Sequence, residues 1–168
     1  MATADDLLSD GFDRVRDDVR DVVQGLDEDA LRFRPADGAN PIAWLVWHLT
    51  RIQDDHVADA AGSEQLWTSG GWVERFRLPF DVGATGYGQS AEEVGQVHAT
   101  AELLSGYQDA VHDSTVAYLR TLADADYARI VDKRWNPPVS LGVRLVSVLN
   151  DATQHAGQAA YVRGLLGR

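Results

Sequence analysis

The residues whose types and spacing could do chemistry lie near the end of the chain, in "LNDATQHAGQAA" (149–160). Asp151 and His155 are four residues apart, so on a helix their side chains share one face, a turn apart. His155 falls where the apolar rhythm calls for an aliphatic residue. Ala152 and Ala159 leave room around its ring, and Gln158 borders the same spot. Burying a carboxylate and an imidazole on an apolar stripe is costly unless each finds a partner, and a divalent cation is such a partner. A third ligand is available in "WLVWHLTRIQDDH" (44–56). There His48 sits about 60° around a helix from Leu45, at the edge of the apolar stripe. Two imidazoles and one carboxylate suit Zn²⁺ with an open position. They also match the facial triad of non-haem Fe(II). Zinc is preferred, because sites of this kind are common for it and nothing indicates redox chemistry; nickel and other divalent ions stay open. So does the plainer reading, a hydrogen-bonded interior histidine. A metal with an open position can polarise a substrate oxygen or lower the pKa of a bound water or thiol.

Four amphipathic segments must position these residues. Leu8, Phe12, Val15, Val19, Val22 and Leu26 keep a bundle-type spacing that ends at Gly25 and Asp27. The second segment opens at "NPIAW", with Asn40 as N-cap and Pro41 in the first turn, and carries Ile42, Leu45, Leu49, Ile52 and His56. The third, capped by Thr100, carries Leu104, Tyr107, Val111, Thr115, Tyr118 and Leu122 and runs to Asp124. The fourth follows "WNPPVS", is capped by Ser140, and carries Leu141, Leu145, Val148, Ala152, His155, Ala159, Val162 and Leu166. With no convincing strand pattern, the expectation is an all-α, single-domain four-helix bundle over residues 1–168.

The connection 62–99 is long and holds Trp67, Trp72, Phe76 and Phe80 among glycines, with a short helix expected in "AEEVGQVH". Its aromatics suit a lid, a subunit interface, or a loop held down by its own rings. Depth along the bundle gives the connection a further task. His48 lies about 10 Å from the start of its helix and His155 about 16 Å from the end of its own. They match in depth only if the second and fourth helices are antiparallel. That requires the second and third to run the same way, joined by a crossover along the bundle, which the 62–99 segment can supply.

Bulk properties narrow the partners. The 168 residues carry a net charge of −11 and the pI is near 4.7. Such a surface opposes nucleic acid and anionic membranes. No apolar run approaches the ~20 residues of a membrane span, and "MATADDLLSD" does not read as a signal peptide. The expected setting is the cytoplasm. There is no cysteine, so any reacting thiol must come from outside the chain.

The segments "WLVWHLTRIQDDH" and "RWNPPVSLGVRLVSVLNDATQHAGQAAYVRGLL", with the helix order and long second connection, resemble the DinB/YfiT-like metalloenzyme superfamily. The resemblance covers nearly the whole chain and comes close to the branch of the mycothiol-dependent maleylpyruvate isomerase metal-binding domain. It implies a DinB-like bundle that binds a divalent metal through a histidine on the second helix and an H-x-x-x-H on the last. The isomerase branch has Glu at the first of those last-helix positions. Carried over, His48 and His155 are ligands, and Asp151 stands at the His-or-Glu position with a side chain one methylene shorter than Glu. The resemblance further implies a homodimer and a thiol-dependent transferase or isomerase. Its cosubstrate would be a low-molecular-weight thiol such as mycothiol, acting on a small-molecule electrophile. A non-catalytic stress or ligand-binding protein and a metal-dependent hydrolase are the alternatives. Arg144 and Arg51 are candidates to bind a carboxylate of the thiol or substrate, or else are ion-paired. Gln158 is a further catalytic candidate. Trp44 and Tyr161 could line a pocket, or else be a core and an interface aromatic; Asp55 and His56 read as surface or as residues behind a site; His98 and His112 show no matching acid and no place on a seam.

Overall fold

The computed structural model describes residues 2–167. Helix α1 (Ala4–Val23) opens with a capping box in which Thr3 and Asp6 satisfy each other's backbone N–H. It buries Leu8, Phe12, Val15, Val19 and Val22, as its spacing requires. The single turn α2 (Glu28–Leu31) follows. Helix α3 (Ile42–Ala61) starts one residue later than the sequence suggests. Pro41, not Asn40, occupies the N-cap and makes no side-chain capping bond. Its extended backbone (ψ 160°) keeps it outside the helix.

Helix α3 is also buried further around than a single seam. Every residue from Ile42 to Arg51 is buried, because helices cover two of its sides and the 62–99 connection covers a third. That connection forms the short helices α4 (Leu66–Ser69), α5 (Trp72–Phe76) and α6 (Ala91–Val94). Trp67, Trp72, Phe76 and Phe80 join Trp47 of α3 in one aromatic cluster. Tyr107 of α7 (Ala101–Leu119), capped by Thr100, completes it. Helix α7 stops short of the expected Asp124, and residues Asp124–Ala128 make a 3₁₀ turn.

The absence of strands expected from the sequence is corrected by a small antiparallel pair, β1 (Ile130–Asp132) with β2 (Val139–Ser140). Strands of three and two residues are too short for period-2 alternation to register. Helix α8 (Leu141–Leu165), capped by Ser140, is the longest element.

Cross-helix contacts give the directions. Gly11 meets Leu149, and Arg163 donates to the Asp21 and Val22 carbonyls, so α1 and α8 run parallel. Thr50 bonds Gln108 and Tyr118 bonds the Ala60 carbonyl, so α3 and α7 run parallel. His48 meets His155, whereas His56 meets Arg144, so α3 and α8 are antiparallel. This is the crossover topology that the matching depths of His48 and His155 call for. Among the described residues no helix is long and apolar enough to cross a membrane.

Candidate metal centre

His48, Asp151 and His155 converge where α3 crosses α8, with one ligand atom from each within 4.8 Å of the others. The His48 and His155 rings meet edge to face, 4.8 Å between centroids. His155 Nε2 lies 3.6 Å from Asp151 Oδ1. The apolar line of α8 passes through Ala152, Ala156 and Ala159, all buried. His155 is therefore beside the seam and not on it as the spacing suggested, which turns its ring toward α3 instead of into the core.

The protonation pattern follows from hydrogen bonding. His48 Nδ1 lies 2.6 Å from the Thr85 carbonyl oxygen. A carbonyl only accepts, so Nδ1 carries the proton and Nε2 keeps its lone pair. Trp44 stacks flat on the same ring, 4.5 Å between centroids, and donates its Nε1–H to Gln89. Gly86 closes the turn behind the ring at φ +96°, where a Cβ would stand 2.6 Å from His48 Nδ1. His155 Nδ1 is 3.1 Å from Gln158 Oε1, one turn on, so Gln158 orients the second imidazole in the same sense. Burial, with His155 nearby, holds His48 below the ordinary imidazole value, partly offset by its Thr85 bond and by Asp151. The Asp151 Oδ2 atom is buried and has no hydrogen-bond partner. A buried carboxylate oxygen without a partner is costly. Together with two imidazoles whose Nδ1 atoms are already committed, it fits a cation held by two nitrogens and a carboxylate.

The other sequence candidates are placed as follows. Arg51 is fully buried, with Nε bonded to the Ala84 carbonyl and Nη1 to Gln65 and Tyr107. Arg144 lies two turns before Asp151, bonded to Asp132 at 2.9 Å and beside His56. Asp132 is held far below the usual carboxylate range, first by its hydrogen bonds to Arg134 and then by the charge of Arg144. Asp55, His56, Asp59, Arg134 and Arg144 line a charged cleft of about 340 Å³, in whose wall Asp55 and His56 stand half-buried. His112, which showed no matching acid in the sequence, is buried with Asp13 at 2.8 Å and Asp113 at 3.2 Å. Asp113 was adjacent in sequence, but Asp13 arrives only through the α1–α7 packing. A second cleft, of about 570 Å³, runs along α8 beside Gln158; Asn40, Leu45, Gln154 and Tyr161 line it, and among the described residues no ionised side chain does.

Burial, and then Arg144, also lower the pKa of His56. The unfolded chain therefore takes up this proton first as pH falls below about 6.5. The contribution of neutral His56 is fully present above that value and is lost on acidification toward its folded pKa. A His56→Gln variant lacks this loss. Its melting temperature relative to wild type is expected to rise as pH is lowered from 7.5 to 5.5, read by thermal denaturation of metal-free protein. A difference independent of pH would contradict the assignment.

Fold and site together define a DinB-like helical bundle with a candidate metal site of two histidines and one carboxylate. The chain belongs to the mycothiol-S-transferase family, whose model matches residues 7–167. Among solved structures it is similar to a conserved protein from Enterococcus faecalis, at 31% identity and a TM-score of 0.93 over 100% of both chains. No curated protein matches it.

Proposed function

We propose that the protein is a metal-dependent thiol transferase, or a thiol-dependent isomerase, that joins an exogenous thiol of the mycothiol type to a small electrophile. The observation that carries this reading is the convergence of His48, Asp151 and His155 around a buried carboxylate oxygen that has no partner of its own. The family match supports it. A divalent ion held by these three side chains, zinc for preference with nickel or iron as alternatives, would supply the positive charge that lowers the pKa of a thiol bound beside it.

The chain's own residues do the rest. The Thr85 carbonyl and Gln158 keep the Nδ1 protons of His48 and His155 in place, so that both Nε2 lone pairs stay available. Trp44 shields one face of His48 from water. The uncharged cleft beside Gln158 offers amide and phenol groups from Asn40, Gln154 and Tyr161. In a chain of net charge −11, a cleft with no ionised group among the described residues favours a neutral, hydroxyl-rich thiol over an anionic one. Arg144, held by Asp132 at the charged cleft, is the group we assign to a carboxylate of the electrophile.

The test is an assay of zinc- and nickel-loaded protein with mycothiol, bacillithiol, glutathione and cysteine against chlorodinitrobenzene. A C–S bond forms, the C–Cl bond breaks, chloride leaves and the thiol proton passes to solvent. Metal-dependent adduct formation is expected, fastest with the uncharged sugar thiol. Absence of activity with every thiol would sink the reading. Ester or amide turnover without thiol would point to a hydrolase, and tight metal binding with no turnover at all to a ligand-binding protein.

A further inference from the structure

Three side chains of α3 give N–H groups to one short stretch of the connection. Trp44, His48 and Arg51 stand at i, i+4 and i+7, which is one stripe of a helix. Trp44 Nε1 donates to Gln89 at 2.7 Å, His48 Nδ1 to the Thr85 carbonyl at 2.6 Å, and Arg51 Nε to the Ala84 carbonyl at 3.1 Å. Two successive carbonyls are therefore held by two donors three residues apart on a rigid helix. A single donor would let this backbone pivot about one bond. Two donors set its angle, and with it the direction in which the Thr85 oxygen points.

Arg51 is itself held from behind. It is fully buried. Its Nη1 meets Gln65 Oε1 at 2.9 Å, Tyr107 Oη at 3.4 Å and Asp54 Oδ2 at 3.7 Å, and its guanidinium lies 5.0 Å from the centre of the Trp67 ring. Asp54 is fixed in turn by the Leu66 and Trp67 backbone N–H groups and by the Tyr107 hydroxyl. Burial pushes Tyr107 well above its ordinary pKa, so the hydroxyl stays a donor. Yet Arg51 Nη2 is buried with no partner. A guanidinium selected for hydrogen bonding alone would not leave a buried donor idle. An apolar side chain of similar volume would serve the packing as well or better.

We infer that Arg51 is a positioning residue for the metal centre: through the Ala84–Thr85 backbone it fixes the carbonyl that holds His48 in the tautomer and orientation needed to bind the ion. The inference rests on the metal reading of His48, Asp151 and His155. It gives the 84–86 segment a definite task, which is to act as the acceptor behind a ligand, and it accounts for an arginine buried three residues from a histidine on the same helix. Partners behind metal-binding histidines commonly account for 10–100-fold in metal affinity.

The experiment compares wild type with Arg51→Lys, Arg51→Met and a control, Thr115→Val. The control removes the buried Gln53–Thr115 bond without touching residues 84–89. Two readouts are taken: the dissociation constant for Zn²⁺ by competition with a chromophoric chelator, and the solvent protection of the His48 Nδ1–H proton by NMR. Expected are a dissociation constant raised about 10–100-fold in both Arg51 variants, loss of protection at His48 Nδ1–H, and no change in either readout for Thr115→Val. Arg51 variants that hold Zn²⁺ with wild-type affinity and keep a protected Nδ1–H would overturn the inference. If neither Arg51 variant folds, the wild-type protein still decides. A His48 ring N–H that exchanges as fast as that of exposed His98 overturns it, and a protected one supports it. Failure of wild type to bind any divalent ion would instead count against the metal reading, and the proton readout would still report on Arg51.

Discussion

Replacing His155 by alanine is expected to weaken divalent-metal binding by at least about 100-fold, more than the 10–100-fold that groups behind a ligand account for, while leaving the helical fold intact. A factor of 100 corresponds to about 2.7 kcal/mol. His155 is the cleanest of the three positions to test. It lies at the edge of the α8 seam, its hydrogen bond to Gln158 and its contact with Asp151 are both on its own helix, and across the seam it meets the rings of His48 and Trp44. Truncation therefore removes a ligand without leaving a distant partner unsatisfied. His48→Ala would strip the Thr85 carbonyl of its donor and release the turn at Gly86, so loss of metal there would mix two causes. Calorimetric titration with Zn²⁺ and a thermal melt of the same sample separate affinity from stability. Unchanged affinity in His155→Ala would remove the centre from consideration. Asp151→Glu is the informative companion, because it restores the methylene by which this chain is shorter than the isomerase branch. If reach limits the carboxylate, affinity rises.

Gly86→Ala is expected to damage both the site and the fold. The backbone stands at φ +96°, which side chains with a Cβ rarely adopt. The added carbon would lie 2.6 Å from His48 Nδ1 and 3.2 Å from Trp44 Cζ2. Strain of this kind costs on the order of 1–3 kcal/mol. Displacing the turn breaks the His48–Thr85 bond, so a roughly 10–100-fold loss of metal affinity is expected alongside a lower melting temperature. Gly164→Ala is the control. It lies in α8, where an added Cβ would meet open space, and there alanine is favoured over glycine by up to about 1 kcal/mol. Equal effects at the two positions would show that the turn behind His48 has no special role.

Much of this was legible in the sequence because helices write themselves in local spacing. The seam of α1, that of α8 apart from His155, the caps Thr100 and Ser140, and the short helix after Ser90 follow from residues within a few positions of one another. The convergence of His48 with Asp151 and His155 was also within reach, since depth along two helices and the length of one connection point to a single topology. The short β1–β2 pair was missed because strands of three and two residues carry no period. The shift of the α3 cap to Pro41 was missed because Asn40 has the right chemistry at a position where the chain is still extended.

By itself the sequence determined the bundle, the crossover and the identity of three candidate ligands, because spacing within each helix, depth along two of them and the length of one connection can all be read along the chain. Only the tertiary structure decided what stands behind those ligands. Thr85 meets His48 across 37 residues, Arg51 meets Ala84 across 33, and Asp13 reaches His112 across 99. Such pairs leave no periodic trace, because the contact depends on how the 62–99 connection drapes over α3 and how α1 packs on α7. It also took the packed helices to set His155 beside the seam instead of on it. That placement turns an imidazole that looked like core toward Asp151, whose buried Oδ2 lacks a partner.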